Sequence, residues 1–383
     1  MHLLRNQKVR GFLFQLLTVI GLVAFLWYIG QNTINNVEQR GIQTGFEFLN
    51  STAGFGISES PIEFQESDTH GRVFLVGLLN TLIVSFVGII LSTILGLFVG
   101  ILRLSDNYLV KKLAAAYIDI FRNIPILLQI LFWYNVVLKA LPSPRQSLEF
   151  VGGVFINNRE LYFPQPSLNT TTVSMLISIV VAIIFILFLN RWAKKRQELT
   201  GQDFPVLLSG FGIVVAFPLL AFFASGANLE LSYPVLKGFN FKGGKTISPE
   251  FLALTFALTI YTATFIAEAV RSGIEAVSKG QKEAAASLGL SSYQALKLVV
   301  LPQAIRIAIP PTINQYLNLT KNSSLAAAVG YPEIVTVFSG TSLNQTGQAI
   351  EIIAITMLVY LTISILVSAL LNWFNHNMKI KER

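Results

Sequence analysis

The residues best suited to do chemistry in this sequence are polar side chains that interrupt long apolar stretches. One group has the spacing i, i+4, i+7 and i+8, which places its members on one face of a helix: Asn314, Asn318, Lys321 and Asn322. Three amides and an ammonium on one face would suit hydrogen bonding to the carboxylate of a zwitterionic solute. The same side chains could instead join helices, since such contacts in membranes are worth about 0.6 kcal/mol on average. A solute path and a helix contact therefore both stay open.

A second polar group precedes the first one along the chain. Tyr261, Thr264 and Glu268 lie at i, i+3 and i+7, again on one helical face. Ionisable side chains inside a membrane are costly, and they usually face a bundle interior or a wet cavity. Glu268 could bind an ammonium group, but its spacing favours a structural pair with Arg271, three residues further on.

Other kinds of chemistry find little support in the sequence. There is no cysteine, and the three histidines, His2, His70 and His376, are scattered. The tail of a phosphate-binding loop occurs at 244–246, but Phe239 occupies the position of its leading glycine. We therefore predict no catalytic residue, no metal site and no bound cofactor. The chain is not expected to be an enzyme, and any ATP must be used by a separate subunit.

These residues must be positioned by other elements of the chain, and the composition indicates that those elements are membrane helices. Hydrophobic residues make up 53% of the 383 residues and charged residues only 13%, and the mean hydropathy is +0.60. A soluble protein has about 25% charged residues, so a water-soluble domain is excluded. Because crossing a bilayer takes about 20 apolar residues, we predict an all-α polytopic membrane protein with about eight spans. The predicted spans are 11–37, 73–102, 113–138, 161–190, 204–229, 251–267, 307–329 and 352–378.

The distribution of basic residues predicts the orientation of these spans. Lysines and arginines concentrate in alternate loops, which the positive-inside rule assigns to the cytoplasm together with both termini. The net charge of +8 is thus a feature of topology and implies no nucleic-acid partner. The first apolar run could be a secretory signal, but no small-residue cleavage pattern follows it, so we interpret it as a retained anchor.

The loop between spans six and seven has helix-capping patterns. Ser278 and Ser291 are each followed three residues later by glutamine, as in a capping box. Gly289 lies between them, where a helix end needs a left-handed residue. Pro302 should end the second helix. The pattern predicts two short helices with a sharp corner on the cytoplasmic face.

This loop also carries a resemblance to a known family. Glu283-Ala284-Ala285, Gly289 and Leu301-Pro302 have the spacing of the EAA loop of ABC-importer permeases, with Val299 where isoleucine is usual. The flanking residues resemble those of the permeases for polar amino acids such as histidine, glutamate, glutamine and arginine. The resembling flanks are 267–268, 271–274, 280–281, 302–304, Arg306, Pro310, Asn314 and 321–325.

The resemblance implies a domain organisation. Spans two, three, six, seven and eight resemble a type I ABC-importer permease core, and spans one, four and five are additions. The enlarged form is similar to the general L-amino-acid permease subunits of Gram-negative bacteria. The expected regions are an anchor helix with an acidic periplasmic loop (1–72), the first core part (73–141), an insertion (142–247) and the second core part (248–383) with its coupling loop (275–306).

The function that the resemblance implies is import of L-amino acids across the bacterial inner membrane. The coupling loop would dock on a cytoplasmic ATPase that holds ATP and magnesium. The other implied partners are a second permease chain, favoured to be an unlike subunit, and a periplasmic amino-acid-binding protein. The runner-up is a secondary transporter driven by an ion gradient, although the sequence shows no convincing internal repeat. A membrane scaffold without transport activity is the third alternative, and a loop resting on lipid headgroups is the alternative for the coupling segment.

Overall fold

A computed structural model describes residues 7–39, 41 and 44–378. Four basic residues near the ends of the chain were used to predict the orientation but lie outside the described residues, at positions 5, 379, 381 and 383. The helices are α1 (Gln7–Gln39), α2 (His70–Arg103), α3 (Tyr108–Asn123), α4 (Ile126–Leu131), α5 (Thr170–Thr200), α6 (Val206–Ala224), α7 (Pro249–Glu275), α8 (Lys279–Ser287), α9 (Ser292–Ala295), α10 (Leu301–Asn322), α11 (Leu343–Thr346) and α12 (Ala349–Met378).

The predicted helical membrane fold is confirmed. Within the described residues, six helices are long and apolar enough to cross a bilayer, and a bent pair would bring the number to seven. The six are Arg10–Val37, His70–Arg103, Thr170–Thr200, Pro249–Glu275, Ser292–Ala328 and Ala349–Ala369. The remaining predicted span, 204–229, contains the shorter apolar helix Leu208–Ala224.

The third predicted span is the bent pair. Tyr108–Asn123 and Ile126–Leu138 meet at an angle of 101°. Pro125 explains the break, because proline pushes the residue before it, Ile124, out of the helical conformation and into an extended one. Gln129 then donates hydrogen bonds from Nε2 to the carbonyls of Phe121 and Ile124, at 2.9 and 3.0 Å, and so satisfies the exposed end of α3.

The start of the fourth predicted span is wrong. Residues 161–163 form strand β3 (Leu161–Phe163), and α5 begins only at Thr170, where the Asn169 side chain accepts the Thr172 N–H. The two prolines between them, Pro164 and Pro166, cannot continue a helix from β3. The uncharged run 161–190 is therefore long enough to span a membrane, but it does not form one continuous helix.

Short strands in the insertion were not predicted at all. A four-stranded antiparallel sheet has the order β1 (Leu148–Phe150), β2 (Val154–Ile156), β3 and β8 (Lys245–Ile247). Two further pairs are β4 (Gln165–Pro166) with β5 (Leu231–Ser232), and β6 (Val235–Lys237) with β7 (Asn240–Lys242). The ring of Phe241 packs against those of Phe155 and Tyr162, with centroids 4.8 and 4.6 Å away. Lys245 and Thr246 belong to β8, so they do not open a helix as a phosphate-binding loop would.

The chain divides into two compact units, residues 1–130 with 254–383, and residues 131–253. In the first unit, glycines let α2 approach its neighbours at backbone distance. A Cβ on Gly96 would lie 2.6 Å from Ile266 Cβ on α7, and one on Gly77 would lie 2.8 Å from Ile334 Cα. In the second unit, α5 and α6 pack side by side as a helical hairpin.

Candidate functional site

The predicted corner in the coupling loop is present. Gly289 has φ +74°, and its N–H donates to the Ala286 carbonyl at 2.9 Å. The Ser291 capping box is complete, because Gln294 N donates to Ser291 Oγ at 3.3 Å and Ser291 N donates to Gln294 Oε1 at 2.9 Å. The left-handed Gly289 therefore follows the end of α8, and α9 begins three residues after it with both capping bonds made.

Two details of this loop were predicted wrongly. Ser278 occupies the residue before α8, but its side chain makes no capping bond. Pro302 does not end the second helix, since α9, a π-helical segment (Leu296–Val300) and α10 follow one another without a break. Pro302 lies in the first turn of α10, where the wide π-helical turn has already interrupted the regular i→i−4 hydrogen bonds that a proline would break.

The loop presents small and apolar side chains that the described chain leaves uncovered. Glu283 and Ala284 are exposed, and Leu288 is 80% exposed, whereas Ala285 is only 2% exposed. The exposed side chains of Leu288 and Ala284 form a surface that a second protein can approach closely. The loop thus has an uncovered surface made by one side of α8 and the corner.

The Leu301-Pro302 end of the EAA-like motif lies beside α8. Gln303 Nε2 donates to Gln281 Oε1 at 3.5 Å, which ties the first turn of α10 to α8. Val277, Val300 and Ala304 form a buried apolar cluster beneath this contact. Leu301 and Pro302, both exposed, are therefore held beside α8, although they lie well over ten residues further along the chain.

The first polar group lies on an uncovered face of α10. Asn314, Asn318 and Lys321 are exposed and Asn322 is half-buried, as expected for one helical face. Asn318 Nδ2 donates to Gln315 Oε1 at 3.5 Å, and the Lys321 ammonium forms no ion pair with any described residue. A charge on a spanning helix is costly against lipid, so this face needs a wet path or another chain beside it.

The second polar group has internal partners. Thr264 is buried, and its Oγ1 donates to the Tyr261 carbonyl at 2.7 Å. Both Glu268 oxygens accept from Arg271 Nε, at 3.2 and 3.1 Å, and Arg271 also bonds Glu275. The predicted structural pairing of Glu268 is therefore present, and a role for Tyr261, Thr264 and Glu268 in binding a solute stays a prediction.

Glu333 is a buried acid that was not predicted from the sequence, and it is 0% exposed. Its Oε1 accepts the Thr336 N–H at 2.9 Å, and its Oε2 accepts the Tyr360 hydroxyl of α12 at 3.2 Å and lies 3.5 Å from Thr81 Oγ1 of α2. Burial raises the pKa of the Glu333 carboxyl. The carboxyl thus joins three segments of the first unit. An acidic residue inside a long, otherwise uncharged stretch was the signal that could have revealed it.

Neighbouring α2 side chains complete this junction. Asn80 Nδ2 donates to the carbonyls of Pro332 and Glu59, both at 2.9 Å, and Ile334 N donates to Thr81 Oγ1 at 3.2 Å. Asn80 and Thr81 of α2 are therefore both occupied by backbone partners. Among the described residues, no group of three or more potential ligands could hold a metal ion.

Comparisons with known proteins give one consistent result. Residues 200–380 match the family model described as the inner membrane component of binding-protein-dependent transport systems. The chain is 50% identical over 378 residues to the putative amino-acid ABC transporter permease protein YhdX of Escherichia coli K12, covering 99% of this chain and 96% of that protein. It is 48% identical to the general L-amino acid transport system permease protein AapQ of Rhizobium johnstonii, covering 99% and 94%.

The solved structures that resemble the chain are more distant. A crystal structure of an amino acid ABC transporter with histidines matches 80% of this chain and 95% of its own, at 20% identity and a TM-score of 0.48. An inward-facing form of the MetNI methionine ABC transporter matches 81% and 97%, at 14% identity and a TM-score of 0.43. The full-length relatives establish the relationship.

Proposed function

Because the chain belongs to the amino-acid ABC transporter permeases, we propose that it moves L-amino acids across the bacterial inner membrane as one part of an ATP-driven importer. The near full-length similarity to YhdX and AapQ supports the solute class. As a permease with several spans, the chain is a multi-pass inner membrane protein. The alternative of a secondary transporter driven by an ion gradient has no support among these relatives.

The orientation belongs to this proposal. The coupling loop and both termini face the cytoplasm. The basic residues around the loop support this side, since the positive-inside rule places them there: Lys279, Lys282, Lys297 and Arg306.

The observation that carries the coupling role is the exposed corner at Gly289. A separate ATPase subunit binds the surface of α8 and the corner, with Glu283, Ala284, Ala285, Gly289, Leu301 and Pro302 forming or positioning the contact. ATP and magnesium are held by that subunit, and this chain only transmits its movement. The continuity of α9 with α10 supports such transmission, because a push on the loop would act directly on a spanning helix.

The uncovered polar face of α10 supports a second permease chain. In a complex, this face lines either the solute path between the two chains or the surface where the chains touch. Its residues are Asn314, Asn318, Lys321 and Asn322. The enlarged form of this chain supports an unlike partner chain. A periplasmic amino-acid-binding protein delivers the solute to the opposite side.

The test of this function is uptake into proteoliposomes that contain the chain with its ATPase, its partner permease and the binding protein. We expect labelled amino acids to accumulate only when ATP is present on the side of the liposome membrane where the ATPase subunit lies. Uptake that persists without the ATPase subunit and follows an imposed ion gradient would contradict the proposal.

A further inference from the structure

His70 is a buried histidine that belongs neither to the two polar groups nor to the coupling loop. It is the first residue of α2 and is only 2% exposed. Its ring packs against those of Phe48 and Phe55, with centroids 6.4 and 6.3 Å away. Its Nδ1 lies 2.9 Å from Ser342 Oγ, at the end of the π-helical segment Val335–Ser342. The side chain thus joins α2 to two other parts of the first compact unit.

The segment that precedes α2, residues 44–69, is fastened to helix starts on both sides of this histidine. We call it the outer segment. The His70 N–H donates to the Ser51 carbonyl at 3.0 Å, and the Gly45 N–H donates to Glu351 Oε1 in the first turn of α12 at 2.7 Å. The outer segment is therefore held against the starts of α2 and α12, and His70 lies at the junction.

The start of α2 lies at the opposite end of the helices from the coupling loop. Helices α2 and α7 run in parallel, since Gly96 and Gly100 approach the carbonyls of Ala263 and Ala267 on successive turns of α7. Helix α7 then leads into the coupling loop. In the orientation of the proposed function, His70 and the outer segment therefore face the periplasm.

A polar cleft of about 750 Å³ reaches the histidine. His70 lines it together with side chains of the outer segment and of α11, among them Glu47, Thr52 and Gln345. Because hydroxyl, amide and carboxylate groups line the cleft, it can hold water. Protons therefore have a route to the ring, although the ring itself is buried.

A protonated His70 would have little to balance its charge. Among the described residues, His70 forms no ion pair. Of the nearby acids, Glu47 is exposed to screening by solvent, Asp68 pairs with Arg72 at 3.4 Å, and Glu351 accepts a backbone N–H of the outer segment. The π-helical segment and α11 contain no charged residue. The start of a helix also disfavours a positive charge.

We propose that His70 is a pH-sensitive latch, whose neutral ring holds the outer segment closed and whose protonation releases it. The folded chain disfavours the charged ring, because burying a charge without a partner is costly. The latch is therefore closed above pH 6.5 or so, the ordinary pKa of histidine, and it loosens as the pH falls below that value. Resting on the proposed orientation, the latch responds to the pH of the periplasm.

The test is amide hydrogen exchange of the full chain in nanodiscs at about pH 7.5 and about pH 5.5, corrected for the intrinsic rate at each pH. The amides of Ala53 and Gly54 report on the outer segment, because they donate to carbonyls at its other end. Their protection should fall by up to about tenfold at the lower pH, where roughly one unfolded-state histidine in ten stays neutral. His70→Asn keeps a polar partner for Ser342 and should abolish this fall.

Ser342→Ala is the matched variant, because it removes the partner of the ring but leaves the ring able to titrate. Exchange at Ala53 and Gly54 should be faster at both pH values, and the fall in protection at low pH should remain.

Three results would overturn the proposal. Equal protection of the unaltered chain at both pH values would show that the outer segment has no latch. A fall of the same size in His70→Asn would assign the pH dependence to Glu47 or to the pair of Asp68 and Arg72. Loss of the fall in Ser342→Ala would show that the ring is not the titrating group. The measurement uses no ATP, amino acid or other subunit, so a failure of the proposed transport function would leave it unaffected.

Discussion

At Gly289 the coupling loop turns through a left-handed backbone conformation, with φ +74°. A Cβ at this position would meet no other atom within 4 Å, so the need for glycine comes from the backbone alone. Gly280, in α8 of the same loop, also has open space around it but an ordinary φ. The two glycines therefore form a matched pair for separating backbone strain from added volume.

Gly289→Ala should destabilise the corner by about 1–2 kcal/mol, which is the cost of a left-handed L-residue. Hydrogen exchange in α8 and α9 should become faster, and less ATPase should co-purify with the chain. Gly280→Ala should neither speed up exchange nor reduce the amount of ATPase that co-purifies, since alanine is favourable inside a helix. Equal effects of the two substitutions would show that the conformation of Gly289 has no special role.

Glu333 gives the protein a stability that depends on pH. Because burial raises its pKa, the folded protein holds this proton to a higher pH than the unfolded chain, whose glutamate pKa is about 4.3. The stabilisation is complete below the unfolded value and is lost as the pH rises through the folded value. Glu333→Gln, which keeps an acceptor for Thr336, should flatten the fall of the melting temperature with rising pH. Parallel curves for the two proteins would contradict this origin.

Local pairs could be predicted from the sequence, but distant ones could not. Glu268 and Arg271 lie three residues apart on one helix, so their contact follows from helix geometry. Glu333 is held by Thr81 and Tyr360, which lie far from it along the chain. The local sequence pattern does not predict that these three residues are in contact.

At the scale of elements, the two serines of the coupling loop show the limit of motif spacing. Ser278 and Ser291 have similar backbone angles and identical spacing to a glutamine, yet only Ser291 forms a capping box. At Ser278, the Gln281 N–H donates to the Ser278 carbonyl, and Gln281 Oε1 accepts a bond from Gln303 Nε2. Spacing indicates where a cap can form, and the hydrogen bonds decide whether it does.

This difference predicts unequal effects of two identical substitutions. Ser291→Ala should weaken the start of α9 by about 1 kcal/mol, since it removes the acceptor for the Gln294 N–H. Ser278→Ala should have almost no effect on α8. Amide exchange rates at 293–295 and at 280–282 measure the two helix starts separately. A larger effect of Ser278→Ala would contradict the observed capping.

The spans were predictable because each needs only a long apolar run, which is a local property of the chain. The strands of the insertion were not, because β3 pairs with β8 across some 80 residues, for example Tyr162 with Thr246. Three-residue strands have no periodicity that distinguishes them from loops. The bend between α3 and α4 could have been predicted, since Pro125 lies within the apolar run.

For the whole molecule, the uncovered polar face of α10 has two alternative roles, lining the solute path or contacting a second permease chain. Lys321→Gln removes the only charge of that face while keeping a polar side chain. If the face lines the solute path, uptake should fall by about tenfold or more, as expected when a charged hydrogen bond to the solute is lost, while ATPase binding is unchanged. Lys194→Gln, at an exposed position of α5, is the control for an altered lysine elsewhere. Loss of the second permease chain from the Lys321→Gln complex would instead assign the face to a contact between chains.

In the proposed importer, the corner between α8 and α9 faces the cytoplasm and is bound by an ATPase. The chain contains no cysteine, so Leu288→Cys provides a single reactive site on the exposed corner, and Ala285→Cys provides a buried control on the same helix. In intact cells, we predict that Leu288→Cys cross-links to the ATPase subunit and resists a membrane-impermeant thiol reagent, and that Ala285→Cys cross-links much less. Labelling of Leu288→Cys from outside the cell, without any cross-link to an ATPase, would contradict the claim.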